Sequence, residues 1–163
     1  MDIDNIDVHR QRMLEAIAEA RATKARGTGK PFGSVIVRDG IIIARAANEI
    51  FSLKTITAHA EMTAISRASQ YLGSGDLSEC ILYATGQPCP MCLAALHIAG
   101  IRTLYYANTY TQAQAIGFQA APLLDSLCSI FNASGADEDV FRSTSLLTII
   151  HLPMPEAIAL YDN

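Results

Sequence analysis

Residues 80–107 have the sequence CILYATGQPCPMCLAALHIAGIRTLYYA, and their pattern indicates the class of the fold. The apolar run from Ile81 to Ala84 predicts a strand. Pro90 suits the first turn of a helix and Gly100 suits its end, which predicts a helix over Pro90 to Ala99. A second strand is predicted over Arg102 to Ala107. A strand, a helix and a strand in this order form a parallel, right-handed unit, so we expect an α/β fold.

A hairpin is predicted earlier in the chain. β-branched runs from Ser34 to Arg38 and from Ile41 to Ala47 lie on either side of Asp39-Gly40, a dipeptide typical of tight hairpin turns. Two antiparallel strands should therefore begin the sheet. The preceding segment, Gly27 to Pro31, lacks the Gly-Lys-Ser/Thr ending of a phosphate-binding loop, so we interpret it as a plain connector.

Helices and one further strand account for most of the remaining chain. Apolar residues at helical spacing predict helices over residues ~5–26 and ~58–70, the second with Thr57 as its N-cap. After residue 107 we expect a short helix over ~111–116, a fifth strand from Leu146 to Leu152 and a terminal helix from Pro155 to Tyr161. His9 and His151 have no partner nearby in the sequence, so we expect them at the surface or in a strand.

Composition limits the classes of protein to consider. The chain has 163 residues, of which half are hydrophobic and 17% are charged, as expected for one globular domain over residues 1–163. Its apolar runs are much shorter than the ~20 residues of a membrane helix. Acidic residues interrupt the first twenty positions, which is wrong for a signal peptide, so a cytoplasmic protein is expected. A net charge of -4 argues against nucleic-acid binding and favours a small substrate.

A metal site is predicted at the starts of two helices. His59 lies at the beginning of one predicted helix, and Cys89 and Cys92 at the beginning of the next. A C-x-x-C pair in a cytoplasmic chain indicates a metal or redox site more often than a disulfide. One imidazole and two thiolates are three ligands, and a tetrahedral zinc with three protein ligands keeps its fourth position for water. We therefore expect one catalytic zinc per chain.

Glu61 follows the predicted ligand His59 by two residues. At that position it can carry protons between a water molecule and a substrate. The combination of H-x-E with P-C-x-x-C is the motif of zinc-dependent nucleobase deaminases. Two alternatives stay open. A structural zinc module would need a fourth protein ligand, and a redox C-x-x-C protein would leave His59 and Glu61 without a role.

On these motifs the sequence resembles the cytidine deaminase superfamily, and within it the branch of guanine deaminases and tRNA adenosine deaminases. The matching segments are residues 31–37, 57–61, 88–92 and 117–118, and guanine deaminases look most similar. The resemblance implies a three-layer α/β/α sandwich with a five-stranded mixed sheet. It also implies a hydrolase that uses zinc and releases ammonia from a heterocyclic base.

The resemblance further implies residues that contact the substrate. Phe32 and His59 would flank the base, and the Asn48 side chain and the Ala60 backbone would hydrogen-bond to it. Tyr161, on the terminal helix near residues 155–161, would close the site. Similar families form homodimers through the metal-site helices, so we expect a homodimer with Leu93, Leu96, His97 and Ile98 supplying an apolar surface.

The sequence departs from guanine deaminases at several positions. Gln119 and Ala120 stand where acidic residues usually follow Gly-Phe, and Gln87 replaces the Glu of Glu-Pro-Cys. The chain has no Trp, and its tail from Pro153 to Asn163 is short. The preferred prediction is a free base, guanine first, with cytosine, a triazine or another purine as alternatives. A tRNA substrate has less support, because no Lys or Arg follows Arg142.

Overall fold

The computed structural model of the chain describes residues 5–118, 126 and 147–162. Gln119, Ala120 and Arg142, which entered the predictions above, lie outside these residues. The described elements, in chain order, are α1 (Ile6–Arg26), β1 (Gly33–Arg38), β2 (Ile41–Ala47), α2 (Ala60–Leu72), β3 (Cys80–Gly86), α3 (Pro90–Ile98), β4 (Thr103–Asn108), α4 (Tyr110–Gln114), β5 (Thr148–His151) and α5 (Pro155–Ile158), which a 3-10 turn (Ala159–Tyr161) follows.

The five strands form one mixed sheet in the order β2-β1-β3-β4-β5. Strand β1 is antiparallel to both β2 and β3, whereas β3, β4 and β5 run parallel to one another. Asp39 and Gly40 form the hairpin turn with φ values of 51° and 77°, which is why the Asp-Gly dipeptide suits this position. The predicted hairpin and the predicted parallel pairing of β3 with β4 are both confirmed.

Helices cover both faces of the sheet, which gives the predicted α/β/α arrangement. Helix α1 and the C-terminal segment pack on one face, where Val35 and Val37 point. Helices α2 and α3 pack on the other face, where the intervening residue Ile36 points. Successive side chains of a strand point to opposite faces, so β1 is buried on both sides. The site described below lies on the α2 and α3 side of this sheet.

The ends of several elements differ from the predictions. Helix α2 begins at Ala60 with His59 as its N-cap, whereas the sequence suggested Thr57. Thr57 instead hydrogen-bonds through its hydroxyl to the Thr55 hydroxyl, at 3.1 Å. The predicted terminal helix is α-helical only over Pro155–Ile158 and ends as a 3-10 turn. Among the described helices none is long and apolar enough to cross a membrane.

His9 is buried, which corrects the expectation of a surface or strand residue. It lies in α1 and is only 2% exposed. Its Nδ1 lies 2.8 Å from the Tyr83 hydroxyl, and its Nε2 lies 3.2 Å from the Tyr105 hydroxyl. These partners are 74 and 96 residues away in the chain, so no local pattern could reveal them. His151 does lie in a strand, as expected.

Candidate functional site

The N-termini of α2 and α3 place the predicted metal ligands. His59 and Cys89 are the N-caps of these helices, both with extended backbone, and neither side chain caps its own helix. Cys92 follows one turn into α3, on the same side as Cys89. Helix N-termini carry positive partial charge, so this position favours a thiolate. The side chains that would normally cap the two helices are instead directed toward one another.

The three ligand atoms form a nearly equilateral triangle. The Nδ1 atom of His59 lies 3.6 Å from the Sγ atom of Cys89 and 3.6 Å from that of Cys92, and the two sulfurs are 3.7 Å apart. Tetrahedral zinc with ordinary bond lengths requires nitrogen–sulfur and sulfur–sulfur separations of about 3.6 and 3.8 Å. These residues therefore fit one zinc ion. No other cluster of three such side chains occurs in the described parts of the chain.

Hydrogen bonds within the triangle set the protonation of its members. Hydrogen bonding with Cys92 and with His59 lowers the pKa of Cys89 to about 4, although burial opposes the shift. The hydrogen bond to Cys89 raises the pKa of Cys92, and burial adds to that shift. The hydrogen bond to Cys89 also raises the pKa of His59, an effect that burial and, to a smaller extent, the charge of Lys30 oppose. One thiolate is thus formed by the protein itself.

Glu61 lies beside this triangle, in the first turn of α2, and is only 8% exposed. Burial raises the pKa of its carboxyl group, and the nearby charge of His59 opposes the rise. A raised pKa makes a carboxyl group a better proton acceptor than an ordinary exposed carboxylate. Glu61 therefore has the properties of a proton carrier next to a metal site.

A pocket opens directly over the triangle. Its walls include two aromatic rings, one amide, the Glu61 carboxyl and one ammonium group, from Lys30, Phe32, Asn48, Glu61 and Phe118. The rings of Phe32 and Phe118 meet edge to face, with their centroids 5.6 Å apart. Apolar walls with a few polar groups are typical of sites for small ring-shaped ligands.

The chain shares its metal-site motifs with a known family of enzymes. Residues 7–108 match the family described as the cytidine and deoxycytidylate deaminase zinc-binding region. This chain belongs to that family. It is therefore a zinc-type deaminase, a hydrolase acting on carbon–nitrogen bonds, and zinc is its cofactor, as the sequence predicted.

Guanine deaminases and tRNA adenosine deaminases are both among the relatives of this deaminase. It is 43% identical over 110 residues to guanine deaminase of Bacillus subtilis, covering 68% of this chain and 70% of the relative. It is 45% identical over 91 residues to a tRNA-specific adenosine deaminase of Agrobacterium fabrum, covering 56% of this chain and 59% of the relative. The structure of guanine deaminase from Nitrosomonas europaea superimposes with a TM-score of 0.74 at 27% identity, covering 92% and 80% of the two chains.

Asn48 of the deaminase is held rigidly at the pocket wall. Its Oδ1 accepts hydrogen bonds from the backbone N–H of Lys30 at 3.1 Å and of Ile50 at 3.4 Å. No described residue accepts a hydrogen bond from its Nδ2, which remains available as a donor. The loop approaches so closely that a Cβ atom on Gly29 would lie 2.1 Å from the Asn48 carbonyl oxygen. The segment interpreted as a plain connector therefore builds part of the pocket.

The side chains of two predicted substrate contacts, Ala60 and Tyr161, do not line the pocket. Ala60 is the first residue of α2 and is buried. Tyr161 packs edge to face against Phe32 with a centroid distance of 5.9 Å, so it supports a ring of the pocket wall. The tail that carries Tyr161 is fixed to the same chain, because the Lys24 ammonium donates to the carbonyl oxygens of Leu160 and Asp162.

The predicted dimer surface on α3 needs one correction. Leu96 is fully buried in the core of its own chain, because this face of α3 packs against the sheet. It cannot contribute to an interface. His97 and Ile98 are exposed, Ile98 to 84%, and Leu93 is partly buried.

Proposed function

We propose that the chain is a hydrolytic deaminase of a free amino-heterocycle, with guanine as the first candidate. The observation that carries this proposal is the position of Glu61, which faces the pocket beside the triangle of His59, Cys89 and Cys92. A structural zinc module would need a fourth protein ligand, and no fourth ligand joins this cluster within the described residues.

His59, Cys89 and Cys92 would hold the zinc ion. When bound, zinc supplies a Lewis acid that makes water a nucleophile at neutral pH. Glu61 takes a proton from the attacking water and delivers it to the ring nitrogen next to the amino-bearing carbon. It then takes the second proton from the newly added hydroxyl group and delivers it to the departing amino group. The carbon–nitrogen bond breaks, and the products are the oxo-heterocycle and ammonia.

The pocket walls would orient the ring. Phe32 and Phe118 offer apolar surfaces on which a planar heterocycle can pack. The Nδ2 of Asn48 can donate to a ring carbonyl oxygen, and its own oxygen is occupied by the loop. The backbone N–H of Ala60 belongs to the first turn of α2, where no intrahelical acceptor exists. We propose that it donates a second hydrogen bond and that Tyr161 acts through Phe32.

A free base is the kind of substrate that agrees best with the net negative charge of the chain. The relative from Bacillus subtilis is a guanine deaminase, and the chain covers 70% of it. Relatives that act on tRNA are comparably identical over shorter stretches, so they supply the second candidate. RNA binding needs clustered basic residues, whereas the described tail carries Glu156 and Asp162 and no basic residue.

An ammonia-release assay tests this proposal. The zinc-loaded protein is incubated separately with guanine, cytosine, adenine, an amino-triazine and an RNA anticodon stem-loop. We expect release from at least one free base, with guanine the fastest, and none from the stem-loop. The Glu61→Gln variant at equal zinc content is the control for contaminating deaminases. Release from the stem-loop and from no free base would contradict the proposed substrate class.

A further inference from the structure

Lys30 places a positive charge at the wall of the pocket. It lies in the loop between α1 and β1, is partly buried, and has its ammonium nitrogen 5.8 Å from the centroid of the Phe118 ring. Its backbone is fixed by the hydrogen bond to the Asn48 side chain.

No described residue forms an ion pair with this ammonium group. The ion pairs found among the described residues all involve arginines, namely Arg38, Arg45 and Arg67. The Nζ atom of Lys30 makes no hydrogen bond to a described residue, unlike that of Lys24, which binds the tail. The residues that directly follow Phe118 in the sequence, Gln119 and Ala120, carry no negative charge either.

The pocket therefore presents two hydrogen-bond donors from neighbouring segments, the loop before β1 and the residue that follows β2. The Nδ2 of Asn48 and the ammonium of Lys30 both require an acceptor, and they belong to residues that the same backbone contact holds together. In a partly desolvated pocket, a charged donor binds an anionic ligand more strongly than it binds a neutral hydrogen-bond acceptor. This polarity is suited to a ring edge that carries carbonyl oxygens or negative charge.

We propose that Lys30 is a specificity-determining residue that makes the site prefer acidic oxo-amino-heterocycles, ionised as anions, over neutral bases of the same shape. This inference rests on the proposed deaminase function and names its substrate class more closely. Lys30 takes no part in the proton transfers. It contributes by pairing with negative charge on the bound ring.

Guanine and 8-azaguanine form a suitable pair of probes. They share shape and leaving group, but the additional ring nitrogen makes 8-azaguanine the stronger acid. Both are assayed at a pH at which 8-azaguanine is ionised and guanine is neutral, and kcat/KM is measured for each. In the Lys30→Met variant, the ratio of kcat/KM for 8-azaguanine to that for guanine should fall about tenfold or more.

Two further variants serve as controls. Lys30→Arg keeps the charge and should keep the ratio within about threefold of that of the original protein. Lys54→Met removes the same charge from an exposed loop residue that does not line the pocket, and it should leave the ratio unchanged. Zinc content is measured for all variants, so that loss of metal cannot imitate loss of selectivity.

The outcomes separate the inference from the function on which it rests. If Lys30→Met lowers kcat/KM for both bases by the same factor, Lys30 merely supports Phe118 and the inference is wrong. An unchanged ratio overturns it equally. If the unsubstituted protein deaminates neither these two bases nor any other free base, the proposed function itself fails. A loss of kcat/KM in Lys30→Met that is larger for 8-azaguanine than for guanine, and that Lys30→Arg does not show, supports the inference.

Discussion

Gly86 lies directly beneath the Phe32 ring, so closely that a Cβ atom at residue 86 would be 2.8 Å from the Cε1 atom of Phe32. Gly86 ends β3, next to the loop that leads to Cys89. The absence of a side chain there lets the ring pack closely on the end of β3, where it also contacts Phe118 and Tyr161. The position of one wall of the pocket therefore depends on a glycine in a different strand.

Gly86→Ala should displace Phe32 and weaken substrate binding. Overpacking at a buried contact costs about 1–3 kcal/mol, and we expect KM for the deaminated base to rise about fivefold. Steady-state kinetics and urea unfolding measure the two effects. Gly75→Ala is the matched control, because nothing lies within 4 Å of a Cβ atom at that position. An unchanged KM in Gly86→Ala would mean that the Phe32 position does not matter for binding.

Phe32→Ala should weaken binding of the base more strongly, because it removes the stacking surface itself. Base stacking on an aromatic side chain contributes about 1–3 kcal/mol. We expect a corresponding rise in the Kd of the base, measured by calorimetry in the Glu61→Gln background so that turnover does not interfere. Phe32→Tyr, which keeps the ring, should retain most of the affinity. Equal affinity of the alanine variant would exclude stacking on this residue.

Most of the fold could be predicted because its signals are local. The Asp39-Gly40 turn, the spacing of apolar residues in α1 and the proline that begins α3 each act within a few residues. His59, Glu61, Cys89 and Cys92 were identifiable for the same reason, since each motif occupies one helix start. The structure brings the two motifs together across a gap of 30 residues between His59 and Cys89.

Other features arise only from contacts between distant segments. Gly29 and Lys30 had no recognisable motif, and their roles depend on the close approach of Asn48. His9 gained its tyrosine partners from β3 and β4. Leu96 had the same sequence signature as an exposed apolar residue of α3, and only the packing of that helix on the sheet buries it. The periodicity of a sequence identifies the apolar faces of a helix or strand, but it does not identify the element that packs on each face.

Glu61→Gln should slow deamination about 100-fold or more while leaving zinc in place, because the amide cannot carry protons between water and the ring. Single-turnover kinetics measure the rate, and elemental analysis measures the zinc content. Gln is close in shape to Glu, so packing in the first turn of α2 should persist. Near-normal turnover in this variant would assign the proton transfers to another group.

Zinc affinity should increase with pH. Binding through His59, Cys89 and Cys92 requires a neutral imidazole and two thiolates. The pKa of Cys89, at about 4, means that this thiol is already ionised near neutrality, but the pKa values of Cys92 and His59 are raised, so zinc must displace their protons. Lower pH keeps those protons bound and therefore weakens the affinity. Competition with a chromophoric chelator over the range in which imidazoles titrate measures the effect. An affinity independent of pH would contradict this assignment of protonation states.

Ile98 provides the last prediction, which concerns association. Its side chain is 84% exposed at the end of α3, next to the exposed His97, so it is available for contact with a second copy of the chain. We expect a homodimer in which Ile98 is buried, measured by light scattering at micromolar concentration. Ile98→Glu should dissociate it, because an interface would then bury an unpaired carboxylate. Ile41→Glu is the control, because it introduces the same charge at a residue that is 65% exposed on the edge strand β2, outside α3. This variant should leave the dimer intact. The predicted interface on α3 would be wrong if the unsubstituted protein were a monomer, or if both variants dissociated the dimer equally.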